Sequence, residues 1–321
     1  MKRKQFITWG LATASARWAW AGAYPDRPLT IILPFPAGGS VDVFGRAIAT
    51  QLATRLNQTV VVDNRAGASG IIGATAAAKA KADGYTLLLS SSSTHSLAAA
   101  LKTNLPYDPE KDFVPIIDLG SAGSALLVGE SLPVGTAPEL VAYMKRRGDQ
   151  NTFGSAGIGS IAHLSAEDFK WSTGVQATHV PYKGTSLAVQ DLVAGRLTFL
   201  FDSTLSAQAH VASGRVRMLA VTGGTRLRAL PDVPTMAELG IQRQNPEGYF
   251  GMWAPAGTPR EIVLKLNATV NDILKSPEMA ALFQQQSVTA QGGPPEALGA
   301  RVARDTVQWR NVVKRVNIPL D

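Results

Sequence analysis

The feature that most constrains the fold is an alternation. From residue 29 onward, short runs rich in β-branched and apolar residues are separated by Ala- and Leu-rich stretches of helical spacing. Residues 29–34, 59–63 and 86–90 read as buried strands, with helices at 41–56 and 71–81 between them. That order, βαβαβ, predicts a parallel sheet joined by crossover helices. A second series follows the Gly/Ser stretch 120–124, with strands near 152–155, 179–182, 197–201 and 216–221. Helices near 161–171, 186–194 and 205–212 separate those strands. Three more helices close the chain, at 259–274, 277–285 and 295–314, each with Pro where a first-turn residue belongs. No short-period repeat is present. The expectation is an α/β protein of two lobes: 24–122 in the first, 123–230 in the second, and 231–321 returning to the first with the C-terminal helices.

Composition excludes several classes. Apolar residues are 45% of the 321 and charged residues 17%, so the chain can bury a core and is not intrinsically disordered. No apolar run approaches the roughly 18 residues a membrane-spanning helix requires. With 0 cysteines there is no disulfide, thiolate nucleophile or Cys-held metal. The formal charge of +7 rests on 31 basic against 24 acidic side chains. Lys2, Arg3, Lys4 and Arg17 fall in the first 23 residues, which contain no acid, and the charges beyond them are scattered. Without a basic stripe or interleaved aromatics, nucleic acid is not a partner.

Residues 1–23 read as an export signal. A basic start precedes the mostly apolar stretch 6–16, and two small-x-small sites, Ala19-Trp-Ala21 and Ala21-Gly-Ala23, invite cleavage near Ala21 or Ala23. Arg3-Lys4-Gln5-Phe6-Ile7 resembles a degenerate twin-arginine signal. The destination this implies is the bacterial periplasm.

Two glycine loops carry the chemistry. Pro34-Phe-Pro-Ala-Gly-Gly-Ser40 lies between the first strand and the first long helix. Gly38 and Gly39 permit close backbone approach, Ser40 reads as the N-cap, and Asp42 falls in the first turn. Gly154-Ser-Ala-Gly-Ile-Gly-Ser160 occupies the same position in the second series, with Ser160 at the cap and His163 in the first turn. Gly157-Ile-Gly159-Ser-Ile-Ala162 matches G-x-G-x-x-A formally. It is not on the first strand, however, and no acid follows at 178–180, so dinucleotide binding is not expected. A helix N-terminus presents unpaired N–H groups to an anion. Two of them beyond the carboxyl ends of strands, one per lobe, predict the jaws of a cleft for a carboxylate.

Catalytic patterns are missing: no G-x-S-x-G elbow, no H-E-x-x-H and no P-loop occur. The four histidines, His95, His163, His179 and His210, read singly as capping or packing residues. No enzyme, metal or cofactor is expected.

A set of segments in order resembles the Bug/TctC family, the periplasmic solute receptors of tripartite tricarboxylate transporters. They include Tyr24-Pro-Asp-Arg-Pro28, Pro34-Phe-Pro-Ala-Gly-Gly-Ser-Val-Asp42, Val62-Asp-Asn-Arg-Ala-Gly-Ala-Ser-Gly70 and Ala82-Asp-Gly-Tyr-Thr86. Gly159-Ser-Ile-Ala-His-Leu164, His179-Val-Pro-Tyr-Lys-Gly184, Leu230-Pro-Asp-Val-Pro-Thr235 and Ala254-Pro-Ala-Gly-Thr-Pro259 continue the series. The resemblance implies a type 2 periplasmic-binding-protein clamshell with a ligand cleft between the lobes. It implies that a small carboxylate is held by backbone N–H groups and water from Ala37, Gly38, Gly39, Ser40 and Asp42, facing Ser155, Gly157, Gly159, Ser160 and His163. Ser91, Ser92, Thr94 and Asp202 would line the cleft. The implied partners are membrane permease subunits, with the receptor a monomer; the alternative is a sensor subunit presenting its closed form to a two-component histidine kinase.

Overall fold

β1 (Leu29–Leu33) reads Leu-Thr-Ile-Ile-Leu and is buried on both faces, as a strand covered by helices on each side must be. α1 (Ser40–Leu56), β2 (Val60–Asn64), α2 (Ile71–Ala78) and β3 (Thr86–Ser91) follow it. β1 pairs in parallel with both β2 and β3, as the alternation predicts. These elements belong to a computed structural model that describes residues 24–101, 104–223, 225–241, 247–285 and 288–316. The export segment 1–23 lies outside the described residues.

After α3 (Ser96–Leu101), β4 (Phe113–Ala122) and β5 (Ser124–Gly129) run on with one residue between them, and β5 belongs to a second sheet. That sheet is completed by β6 (Thr152–Ser155), β7 (Thr178–Pro181), β8 (Phe199–Ser203) and β9 (Val216–Val221), in the order β7-β6-β8-β5-β9. Its helices are α4 (Ala137–Arg147), α5 (Ile161–Thr173), α6 (Thr185–Val193) and α7 (Thr204–Ala212). The chain re-enters the first sheet at β10 (Gly248–Pro255) and ends with α8 (Arg260–Leu274), α9 (Pro277–Gln285), β11 (Val288–Ala290) and α10 (Pro295–Val316). The first sheet has the order β11-β4-β10-β3-β1-β2, with β10 antiparallel between β3 and β4. The fold is a two-lobed α/β clamshell with one mixed sheet per lobe.

The chain crosses from the first sheet to the second within the Gly/Ser stretch 120–124, at Gly123 between β4 and β5, and the glycines there mark close approach. A Cβ on Gly120 would lie 2.5 Å from the Thr289 carbonyl oxygen, and one on Gly123 2.9 Å from the Gly223 nitrogen. One sequence reading changes: residues 231–241, expected in the first lobe, stay on the second sheet. Val221 N–H donates to the Pro234 carbonyl at 2.9 Å, Met236 N–H donates to the Val221 carbonyl at 2.8 Å, and Met236 is buried in the second core.

Each sheet is covered on both faces. Phe44, Ile48 and Leu52 of α1 and Leu266, Val270 and Ile273 of α8 pack on one side of the first sheet. Tyr249, Trp253, Leu298 and Val302 fill the other. A further cluster joins the lobes: Leu97 and Leu101 of α3, Leu164 of α5, and Trp309, Val312 and Val313 of α10. α10 is also fixed by charge at both ends. Arg301 meets Asp118 at 2.9 Å in the first lobe, and Arg315 meets Asp168 at 3.6 Å in the second.

Candidate ligand-binding site

The loops after β1, β2 and β3 leave one edge of the first sheet and converge. A Cβ on Gly70 would meet Thr94 Cγ2 at 2.7 Å and Phe35 Cζ at 3.1 Å, so glycine lets these three loops touch. Loops from the second lobe come against them. Ser40 and Ser203 share a hydrogen bond of 2.7 Å between their hydroxyls, and Ser69 Oγ donates to the Ile158 carbonyl at 3.5 Å. Gly159 packs so closely on Leu101 that a Cβ would sit 2.7 Å from its Cδ1. The lobes therefore meet along the carboxyl ends of their strands, where α/β sheets hold ligands.

The first loop leaves its helix open. Gly38 turns the chain at φ 84°, Gly39 is the N-cap, and no side chain caps α1. Ser40, read from sequence as the cap, is instead the first helical residue, which frees its hydroxyl to reach Ser203. The amides of Ser40, Val41 and Asp42 consequently have no intrahelical acceptor and no capping side chain. Asp42 is buried and braces the loop. It accepts the Gly38 N–H at 3.0 Å and the Asn64 amide at 2.9 Å, and both its oxygens lie 3.0 Å from Arg46 Nε. Burial opposes charge on Asp42, but the bonds from Arg46, Gly38 and Asn64 outweigh it and hold the carboxyl below its usual range. Gly38, expected to donate to a ligand, donates to Asp42. Ala37 stands exposed at the tip.

The second loop is organised in the opposite sense. Ser160 caps α5, its Oγ accepting the His163 N–H at 3.2 Å. Gly157 N–H donates to Ser155 Oγ at 3.1 Å, and Gly159 N–H to His163 Nδ1 at 3.1 Å. Ser160 N–H donates to the Gly157 carbonyl at 3.2 Å. The donors expected of Gly157, Gly159 and Ser160 thus hold their own loop. Ser155 and His179 are 2.6 Å apart, but Ser155 is fully buried and bonded to both the N–H and the carbonyl of Gly157. No acid among the described residues bonds the His179 ring, so this pair lacks the orienting member of a nucleophilic triad.

Thr94 and Asp202 are absorbed into the lobes. Thr94 Oγ1 lies 2.8 Å from Ser90 Oγ and 3.0 Å from His95 Nδ1, and the Thr94 carbonyl accepts the Tyr107 hydroxyl at 2.6 Å. Asp202 accepts the Ser203 N–H at 2.8 Å together with the hydroxyls of Ser206 and Thr185, tying the starts of α7 and α6. Burial raises its pKa above the ordinary carboxyl value. Ser91 Oγ accepts the Ser93 N–H at 3.4 Å. Ser92 Oγ, by contrast, is buried without a hydrogen-bond partner, and so is Thr204 Oγ1 at the start of α7.

Comparison with known proteins places this architecture. The model of the family described as "Tripartite tricarboxylate transporter family receptor" matches residues 44–318. The chain belongs to this receptor family. Protein BugT of Bordetella pertussis (strain Tohama I) is 38% identical over 301 residues, covering 94% of this chain and 92% of BugT. The periplasmic binding protein BugD superposes with a TM-score of 0.87 at 34% identity, covering 92% of this receptor and 99% of BugD. R. palustris Rpa4515 with adipate gives 0.89 at 35% identity, covering 92% and 99%. MatC (Rpa3494) from Rhodopseudomonas palustris with bound malate gives 0.84 at 32% identity, covering 90% and 100%.

Sequence reasoning missed several residues of the receptor's interface. Ser203 follows Asp202 in a Ser-Thr pair typical of a helix start, and it caps α7 as well as touching Ser40. Leu101 gave no signal, because only the fold brings α3 against the second loop. His179 was visible in its motif but read alone, without its ring partner.

Proposed function

We propose that this receptor captures a small carboxylate in the periplasm and delivers it to the membrane permease subunits of a tripartite tricarboxylate transporter. The observation that carries the reading is the uncapped N-terminus of α1, with its open amides set against the second lobe. The relatives holding adipate and malate support an organic acid as the ligand class. In this reading the acid sits on the amides of Ser40 and Val41. Ser92 Oγ and Thr204 Oγ1 supply hydroxyls to the acid or its waters, since buried polar groups ordinarily find partners. Ligand bridging both lobes biases an open–closed equilibrium toward the closed form, which the permease then reads. Residues 1–23 are removed on export, by cleavage near Ala21 or Ala23, and the mature receptor acts as a monomer.

A thermal-shift screen of residues 24–321 against mono- and dicarboxylates, amino acids and neutral compounds tests the proposal. A carboxylate at 100 times its Kd adds about 2.7 kcal/mol to the folded state and raises Tm. A rise with neutral compounds only would overturn the carboxylate assignment.

A further inference from the structure

Behind the second loop two histidines stack face to face. The rings of His163, on α5, and His179, on β7, lie 4.0 Å apart between centroids, with their planes 17° from parallel. Phe153 of β6 extends the stack, 4.8 Å from His179 and 6.1 Å from His163. Each imidazole reaches the loop through a different atom. His163 Nδ1 accepts the Gly159 N–H at 3.1 Å, so that nitrogen is unprotonated and the ring proton is on Nε2. His179 Nε2 lies 2.6 Å from Ser155 Oγ, which bonds the Gly157 carbonyl at 3.0 Å and N–H at 3.1 Å. With the single hydroxyl proton of Ser155 on the Gly157 carbonyl, His179 supplies the other proton from Nε2. The loop so braced makes interlobe contacts at Ser69 and Leu101.

We propose that His163 and His179 form a positioning pair, two stacked neutral imidazoles that hold residues 157–160 in the shape that meets the first lobe, and that the loop loosens when His163 takes up a proton. A proton on Nδ1 would turn the Gly159 contact into two facing donors. Protonation of His179 creates no such conflict, because its Nε2 already donates. The surroundings favour the neutral pair. Glu167 Oε1, 3.9 Å from His163 Nε2, pulls toward protonation, but the Lys170 ammonium lies 2.9 Å from both Glu167 oxygens and 5.2 Å over the Phe153 ring. Burial first, then His179 and Lys170, hold His163 down to about 3; burial and Lys170 hold His179 down to about 4. An ordinary packing role would be filled equally well by apolar rings, which could neither accept from Gly159 nor reach Ser155. The consequence for affinity rests on the carboxylate-receptor reading; the consequence for loop shape does not.

Amide hydrogen exchange at Gly157 and Gly159, followed by NMR in the unliganded mature protein, tests the pair directly. Calorimetric titration with adipate and malate as probes runs beside it. His163→Leu and His179→Phe keep bulk and remove the bonds. His163→Asn puts an acceptor near the place of Nδ1, and His179→Gln puts a donor near that of Nε2. The expected result is exchange at least about tenfold faster at Gly159 in His163→Leu and at Gly157 in His179→Phe. The Asn and Gln variants should return to within about threefold of wild type, with Kd for a probe that binds following the same order. In wild type the Gly159 amide resonance should titrate together with the His163 ring. Unchanged exchange in both apolar variants, or a Gly159 resonance indifferent to His163 ionisation, would overturn the proposal. If neither probe binds any of the proteins, the choice of these acids fails while exchange still decides the positioning role.

Discussion

The two glycine loops occupy equivalent places, each between a strand and the helix that follows it, yet they treat their backbone amides oppositely. In the first, the serine lies one residue inside the helix, the N-cap is Gly39, and the leading amides of α1 stay open. In the second, Ser160 is itself the cap, and the amides of Gly157, Gly159 and Ser160 are engaged by Ser155, His163 and Gly157. A one-residue offset of serine relative to the helix start separates a loop that can receive an anion from a loop that braces itself. The positive-φ glycines differ in purpose as well. Gly38 has no atom within 4 Å of where its Cβ would be, whereas Gly159 is pressed against Leu101 of the opposite lobe. On the proposed carboxylate reading the first loop receives the anion, while the second loop spends its amides on its own shape. Both touch the opposite lobe, the first through Ser203 and the second through Ser69 and Leu101.

Acid should separate the two loops most strongly. His163 and His179, with values of about 3 and 4, stay neutral in the fold well below the 6.5 of an unfolded imidazole. His95, buried and stacked on Trp253 at 3.8 Å, is held at about 3 by burial. Above pH 6.5 both states are neutral and these groups contribute no slope. As pH falls from 6.5 toward 4, the unfolded chain binds protons that the folded chain refuses. Stability therefore drops by up to about 4 kcal/mol per pH unit where all three differ fully, at about 1.4 per proton. Asp42, bracing the first loop, titrates below the usual carboxylate range and gives way only later. Denaturant unfolding at pH 7, 5.5 and 4.5 checks the slope. Asp202, raised by burial, gives the opposite slope, and His95 adds to the histidine slope from elsewhere. The profile is therefore compared with those of His163→Leu and His179→Phe; an unchanged slope in both variants would mean that neither histidine of the second loop is held neutral.

Gly159→Ala comes next. At φ 74° an alanine is strained by about 1–2 kcal/mol, and its methyl would press on Leu101 Cδ1. Tm should fall by several degrees, and lobe closure should weaken with it. An unchanged Tm would show that the second loop has slack that its packing denies.

How far the sequence goes depends on which contacts are local. The alternation of periods reveals β1 to β3 and the second series, and Ser160 is legible as a cap because its bond spans three residues. β10 escapes, since a strand inserted antiparallel between β3 and β4 owes its place to partners more than a hundred residues away. The glycines at 120 and 123 mark the crossing between the sheets, but sequence shows only their missing side chains and not the Thr289 carbonyl and Gly223 nitrogen that crowd them. The site divides the same way. Both loops are legible as strand-to-helix turns, but the sequence puts Ser40 at the cap where the structure has it as the first helical residue, and the Gly38 N–H that the resemblance turns toward a ligand serves Asp42.

Serine substitutions sharpen the offset itself. Ser160→Ala removes the cap of α5 and should cost about 1 kcal/mol, the usual effect of losing such a side chain. Ser40→Ala removes no cap. It deletes one hydroxyl bond to Ser203 and should cost about 0.5 kcal/mol, appearing mainly as weaker closure. Paired urea titrations measure both; equal losses would show that the two serines act alike.

The smallest expected effect on stability is also the most pointed test of function. Gly39 has φ −83°, a region open to any residue, and a Cβ there would approach only the Pro36 carbonyl oxygen, at an ordinary 3.6 Å. Gly39→Ala should therefore leave stability within about 0.5 kcal/mol of wild type, because no strain or clash is introduced and the unfolded chain is slightly restricted. The new methyl would nevertheless stand beside the open amides of α1, where an anion must come within hydrogen-bond distance. Affinity for whichever acid raises Tm in the screen should fall about tenfold or more, with the unfolding midpoint of the unliganded protein unchanged. Gly159→Ala gives the converse pattern, a lower midpoint without ligand and weaker binding as its consequence. If Gly39→Ala binds as tightly as wild type, the open end of α1 is not the anion seat, and the two loops differ in architecture but not in the roles assigned to them.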